Sequence, residues 1–159
     1  MEGDRERTAL PASENVKMEN VAGWAQTYNE THTNKIRIRD RLVRLAMAEV
    51  MTVYMGIGVD GDGCVVVETI RAFGPREQMT GQGQSRYAVY QQLSQQLGKM
   101  LQGGAGLAGV AAIVGGYSDL FVRPCRVCGR VVSTEGHVPA VVRVWTPDGW
   151  AAEHLGCIG

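Results

Sequence analysis

Val50-Met51-Thr52-Val53-Tyr54-Met55, then Asp60-Gly61-Asp62-Gly63, then Cys64-Val65-Val66-Val67-Glu68-Thr69-Ile70 follow one another in the middle of the chain. The first and third stretches are rich in β-branched and aromatic residues, which pack well on a pleated surface. The Asp-Gly pairs between them tolerate positive φ, the chemistry of a hairpin turn. Together they predict an antiparallel hairpin, ended by Gly74-Pro75. Asp60 and Asp62 place two carboxylates in that turn. The further acidic ligands of an EF-hand loop do not follow, so a tight turn is expected rather than a calcium site. Cys64, on a strand, reads as a buried apolar residue.

Beyond the hairpin, Tyr87, Tyr90, Leu93, Leu97 and Met100/Leu101 recur at spacings of three and four. This predicts an amphipathic helix whose polar residues include Gln91, Gln92, Gln95 and Gln96. Gly103-Gly104-Ala105-Gly106 breaks it, and Leu107 to Tyr117 reads as a second, more apolar helix. Helices joined so tightly should pack on each other or on the hairpin, an α+β arrangement. On the other side, Lys35-Ile36-Arg37-Ile38-Arg39 alternates as a strand with one wet face would. Leu42, Leu45, Ala46 and Glu49 suit a helix instead, so 35–49 stays open between the two. The basic run reads as a solvated face, or more sharply as a polar contact surface for a partner. Val21, Trp24 and Tyr28 have helical spacing and predict a short helix or an ordered loop. The expected organisation is a flexible or partner-dependent segment over 1–34, an α+β body over 35–117 and a zinc-ribbon-like module over 118–159. Within the body, strands are expected at about 50–73, and helices at about 84–102 and 106–117.

The 159 residues suit one domain, or one with a small appendage, and 45% apolar content supports a core. Sixteen Lys and Arg balance sixteen Asp and Glu. A protein built to grip phosphate backbones carries a basic excess, so direct nucleic-acid binding is not the first expectation. No apolar run is long enough to cross a membrane, and Met1 to Pro11 lacks the apolar stretch of a signal peptide. An intracellular chain with reduced thiols is expected.

Of the four cysteines, Cys125, Cys128 and Cys157 lie near the end. Cys125-Arg126-Val127-Cys128-Gly129 sets two thiolates at a spacing that converges on one ion when the chain turns. Gly129 accepts the left-handed conformation such a turn needs. His154-Leu155-Gly156-Cys157 puts an imidazole and a thiolate on one side of a helical turn. Cys-x-x-Cys and His-x-x-Cys together supply a Cys3His set of the right softness for one tetrahedral Zn2+. Four ligands leave no open position, so the ion would be structural. A ribbon this small has too little core to fold alone, and structural zinc contributes on the order of 10–16 kcal/mol. A thioredoxin-like motif would need a helix after Cys128, where Arg130-Val131-Val132 reads as a strand. Val138 to Trp145 reads as another strand, followed by the turn Thr146-Pro147-Asp148-Gly149. His137 lies mid-loop without a partner spacing. Arg123, Arg126, Arg130 and Arg143, with Trp145 and Trp150 nearby, make the module locally basic. They read as a wet face around a small aromatic core, or else as a nucleic-acid surface.

No nucleophile elbow, P-loop or dinucleotide fingerprint occurs, and no metallohydrolase spacing. Pro124-Cys125-x-x-Cys128 matches half of the deaminase pattern, but no His-x-Glu precedes it. An enzyme is not expected, nor is a small-molecule substrate.

Tyr117-Ser118-Asp119-Leu120-Phe121-Val122-Arg123-Pro124-Cys125-Arg126-Val127-Cys128-Gly129-Arg130 and Trp150-Ala151-Ala152-Glu153-His154-Leu155-Gly156-Cys157 resemble the C-terminal region of the Mediator subunit 27 family. The resemblance reaches back more loosely over Val50–Tyr54 and Tyr87–Leu93, to about residue 36. It implies a nuclear, non-catalytic subunit in the tail region of the Mediator coactivator, partnered by other Mediator subunits. It also implies zinc on Cys125, Cys128, His154 and Cys157. The alternative is a zinc-ribbon module that binds nucleic acid directly. Where the family has a long N-terminal helical segment, only a polar stretch precedes the resemblance, which leads us to expect a short version or a truncated chain.

Overall fold

The computed structural model describes residues 15–77, 83–101, 105–134, 136–147 and 149–157. Four strands, β1 (Lys35–Arg39), β2 (Leu42–Met47), β3 (Met51–Val59) and β4 (Val65–Phe73), form an antiparallel meander in sequence order. The open reading of 35–49 resolves as two strands. Period two wins because Val43, Leu45 and Met47 alternate inward, while Leu42, Arg44 and Ala46 are only half buried. Asp40 and Glu49, at the two β-turns, take positive φ.

The predicted hairpin is β3–β4. Asp60 Oδ1 accepts the N–H groups of Asp62 at 2.9 Å and Cys64 at 3.0 Å, so this aspartate builds the turn. Cys64 is buried. The register slips between Gly56 and Ile57, because Gly56 faces Thr69 and Ile57 faces Val67. Glu68 is the extra residue. Without that bulge, Val65 and Val67 could not share a face with Ile70 and Ala72.

Three helices cover the sheet's inner face: α1 (Val21–Thr31), α2 (Ala88–Met100) and α3 (Leu107–Gly115). α2 buries Tyr90, Leu93 and Leu97, and its Ser94 Oγ accepts the Ala72 N–H of β4 at 2.8 Å. α3, apolar on most sides, buries Leu107, Val110, Ala111, Ile113 and Val114. These side chains join Val43, Leu45, Val53 and Met55 of the sheet in one core.

The expected lead-in differs from what is seen. Residues 1–14 of the 1–34 segment lie outside the described residues. From Val16 onward the chain packs on the sheet: Val16 O accepts the Val65 N–H, and Met18 N–H donates to Gly63 O. α1 buries Val21, Ala25 and Tyr28. Its Asn29 acts as a one-residue strand on the edge of β1, accepting the Ile36 N–H at 2.6 Å and donating to Ile36 O at 2.9 Å. That satisfies backbone groups an edge strand leaves bare.

The C-terminal module is small. β5 (Val142–Thr146) and β6 (Gly149–Glu153) form a two-stranded sheet, and a single bridge joins Val132 to Pro139. The strand expected over 138–145 therefore starts later. Among the described residues, a separate apolar group gathers Cys125, Ala140 and Ala152, with Cys157 packed against it, while Leu120 and Val141 join the large core.

Candidate metal centre

Backbone turns set the ligands. Gly129 N–H donates to Cys125 O at 2.8 Å, and Cys125 N–H to Arg130 O at 2.8 Å, closing the loop around both thiols. Gly129 has φ +76°, the left-handed conformation expected of it. At the other end, β6 delivers Glu153 and His154, and a single 3-10 turn over Leu155–Cys157 brings the last thiol back. Cys157 N–H donates to His154 O at 3.0 Å.

One ligand atom from each of Cys125, Cys128, His154 and Cys157 lies within 4.8 Å of the others. His154 Nδ1 is 3.3 Å from Cys128 Sγ and 3.8 Å from Cys157 Sγ. A tetrahedron with Zn–S of about 2.3 Å and Zn–N of about 2.0 Å has edges of about 3.5–3.8 Å. The four donors thus fit a single metal ion in number, spacing and softness. His137, the competing histidine, is exposed at φ +51° and outside the cluster.

The surroundings favour this role. His154 is buried, and its Nε2 lies 2.9 Å from Val131 O. With that nitrogen donating to the carbonyl, Nδ1 keeps its lone pair for a metal. Backbone N–H groups of Val127 and His154 point at Cys125 Sγ from 3.3 and 3.5 Å. Burial pushes the Cys125 thiol up, but N–H groups of Cys128, His154 and Val127 outweigh it and bring it down to about 6. Cys157 is pushed up to about 11 by burial first, then by hydrogen bonding to, and the charge of, the other two sulfurs. Thiolates this close repel one another, and a dication between them removes the conflict.

The arginines are not the uniform wet face expected. Arg126 pairs with Glu153, which is buried, and Arg123 with Asp119 at 3.2 Å. Arg143 is buried; its Nη1 donates to Gly116 O and Asp119 Oδ1, both at 3.1 Å, and its guanidinium lies 4.4 Å from the Tyr117 ring centre. Tyr117 Oη donates to Val141 O at 2.8 Å. This Arg143–Tyr117–Asp119 group joins the module to the end of α3. That Cys125, Cys128, His154 and Cys157 come together was legible in the sequence; the Val131 carbonyl and the burial of Arg143 carry no motif.

The class defined is an α+β body bearing a compact Cys3His cluster. Residues 80–158 match the family model described as Mediator complex subunit 27. The matched region, just under half of the chain, contains α2, α3 and all four residues of the cluster. The looser resemblance around Val50–Tyr54 lies outside the match. No curated protein matches the chain. Mediator subunits act in transcription in the nucleus and are generally non-catalytic. Among the described residues no helix is long and apolar enough to cross a membrane.

Proposed function

We propose that this chain is a non-catalytic structural and interaction subunit of the Mediator tail region, with one structural Zn2+ held by Cys125, Cys128, His154 and Cys157. The family match over 80–158 carries the Mediator reading. The four converging donors support the zinc. Three sulfurs and one imidazole fill a tetrahedral shell, so no position is left for water or substrate and the metal's role is to hold the fold.

Direct nucleic-acid binding is the weaker reading. Arg123, Arg126 and Arg143 are engaged by Asp119 and Glu153, which leaves Arg130 as the ribbon's arginine without an ion pair among the described residues. The test is affinity purification of the tagged chain from nuclei. Other Mediator subunits should co-purify through nuclease treatment and salt of about 0.15 M. Failure to recover them, with sub-micromolar salt-sensitive DNA or RNA binding that weakens on changing Arg126 and Arg130, would contradict the proposal.

A further inference from the structure

The register of the meander places Arg37 directly opposite Arg44, Arg44 opposite Tyr54, and Tyr54 opposite Arg71. One row across all four strands therefore reads Arg-Arg-Tyr-Arg. It lies on the face turned away from the core, since Ile36, Val43, Leu45, Val53, Met55, Ile70 and Ala72 take the other side. Lys35 and Arg39 flank Arg37 on the same face of β1, and Arg37, Arg39 and Arg71 are exposed. Glu68 is the one acid within the four strands. Among the described residues, Arg37, Arg39 and Arg44 enter no ion pair.

Like charges directly opposite on neighbouring strands destabilise a sheet. The chain keeps two such arginines face to face although its overall charge is balanced. A bound anion removes that cost. We propose that this face is a docking surface for an acidic, extended segment of a partner protein.

Three observations choose the occupant and its position. Alternate residues of a strand repeat at about 6.7 Å, so Arg37 and Arg39 match carboxylates two positions apart in an extended peptide, while Lys35 Nζ donates to Asn29 O at 2.7 Å and His32 O at 3.3 Å. Single-stranded nucleic acid would want successive aromatic platforms. The row offers only Tyr54, set edge-on to Phe73 at 5.7 Å, and Phe73 is fully buried. Strand addition at the β1 edge is blocked at Ile36 by the Asn29 amide, so the partner lies across the face. Residues 35–73 lie outside the region matched to the family, and none of them belongs to the Cys3His cluster.

The test uses the full chain and a fluorescein-labelled peptide of alternating Glu and Ser, with an oligothymidylate of equal charge as comparator. Anisotropy at salt of about 0.15 M should show saturable peptide binding that is tighter than oligonucleotide binding. The double variant Arg37→Gln/Arg44→Gln should bind about tenfold more weakly. Its free form should melt no lower than the parent, because a repulsion has been removed. Arg76→Gln/Arg86→Gln, the same charge change elsewhere, should leave binding unchanged. Equal loss from both double variants, or tighter binding of the oligonucleotide, would overturn the proposal.

Discussion

Arg143 shows how a residue's chemistry can be hidden by its neighbours. Within Val142-Arg143-Val144 it sits between two valines, so alternation alone gives the strand either face. The fold buries the arginine and leaves both valines half buried. Tertiary partners decide this: the Tyr117 ring takes the guanidinium's face and Asp119 takes an edge. Nε and Nη2 find no partner among the described residues. The arginine therefore depends on one carboxylate, and the two ends of the pair are not equivalent. Asp119→Ala strands a buried charge and should cost about 2–3 kcal/mol, below the value for fully buried pairs because the aspartate is a third exposed. Arg143→Met removes the charge and keeps much of the volume, and should cost less. Urea denaturation of the two variants measures the order.

Among the elements, α2 was plain in the sequence because its apolar residues fit only a helical period. The β3–β4 hairpin was plain because strand-forming residues flank an Asp-Gly turn. β1 and β2 were ambiguous because Leu42, Leu45, Ala46 and Glu49 also satisfy a helical spacing. Sheet pairing removes the ambiguity, and pairing is a non-local fact. The bulge at Glu68 is of the same kind: nothing near it announces a slip, which appears only when the inward sets on either side are compared. Tyr90 ties α2 to the turn before β3 by donating its hydroxyl hydrogen to Val50 O at 2.6 Å. Burial, then the charge of Glu77 and the neighbouring Tyr87, push it from 10.0 up to about 12. The folded chain thus holds this proton after the unfolded chain has lost it. Its contribution to stability is complete below pH 10 and disappears as pH rises towards 12. Denaturant melts on either side of that window should show the decline, and Tyr90→Phe should flatten it. An unchanged slope in the variant would remove Tyr90 from the explanation.

At the scale of the molecule, the apolar core and the proposed metal centre occupy different parts of the chain. The sheet and its helices share one large apolar core, which Leu120 and Val141 of the C-terminal module join, whereas beside the Cys/His cluster the described residues add a separate small group of Cys125, Ala140 and Ala152. If the four side chains hold a metal ion as proposed, its binding adds to the stability of the part of the module that this small group covers. The two Cys/His pairs were the most legible part of the candidate site: their spacing is local within each pair, and only the meeting of the two pairs required the fold. As proposed, Cys125, Cys128, His154 and Cys157 together hold one zinc ion that keeps this module folded. Native mass spectrometry of the full chain, combined with limited proteolysis, tests it directly. One zinc per chain is expected. Metal should be lost in Cys128→Ser and His154→Ala, with cleavage appearing within residues 121–157 while the sheet and its helices stay protected. A chain without metal, or a module equally protected in both variants, would contradict it.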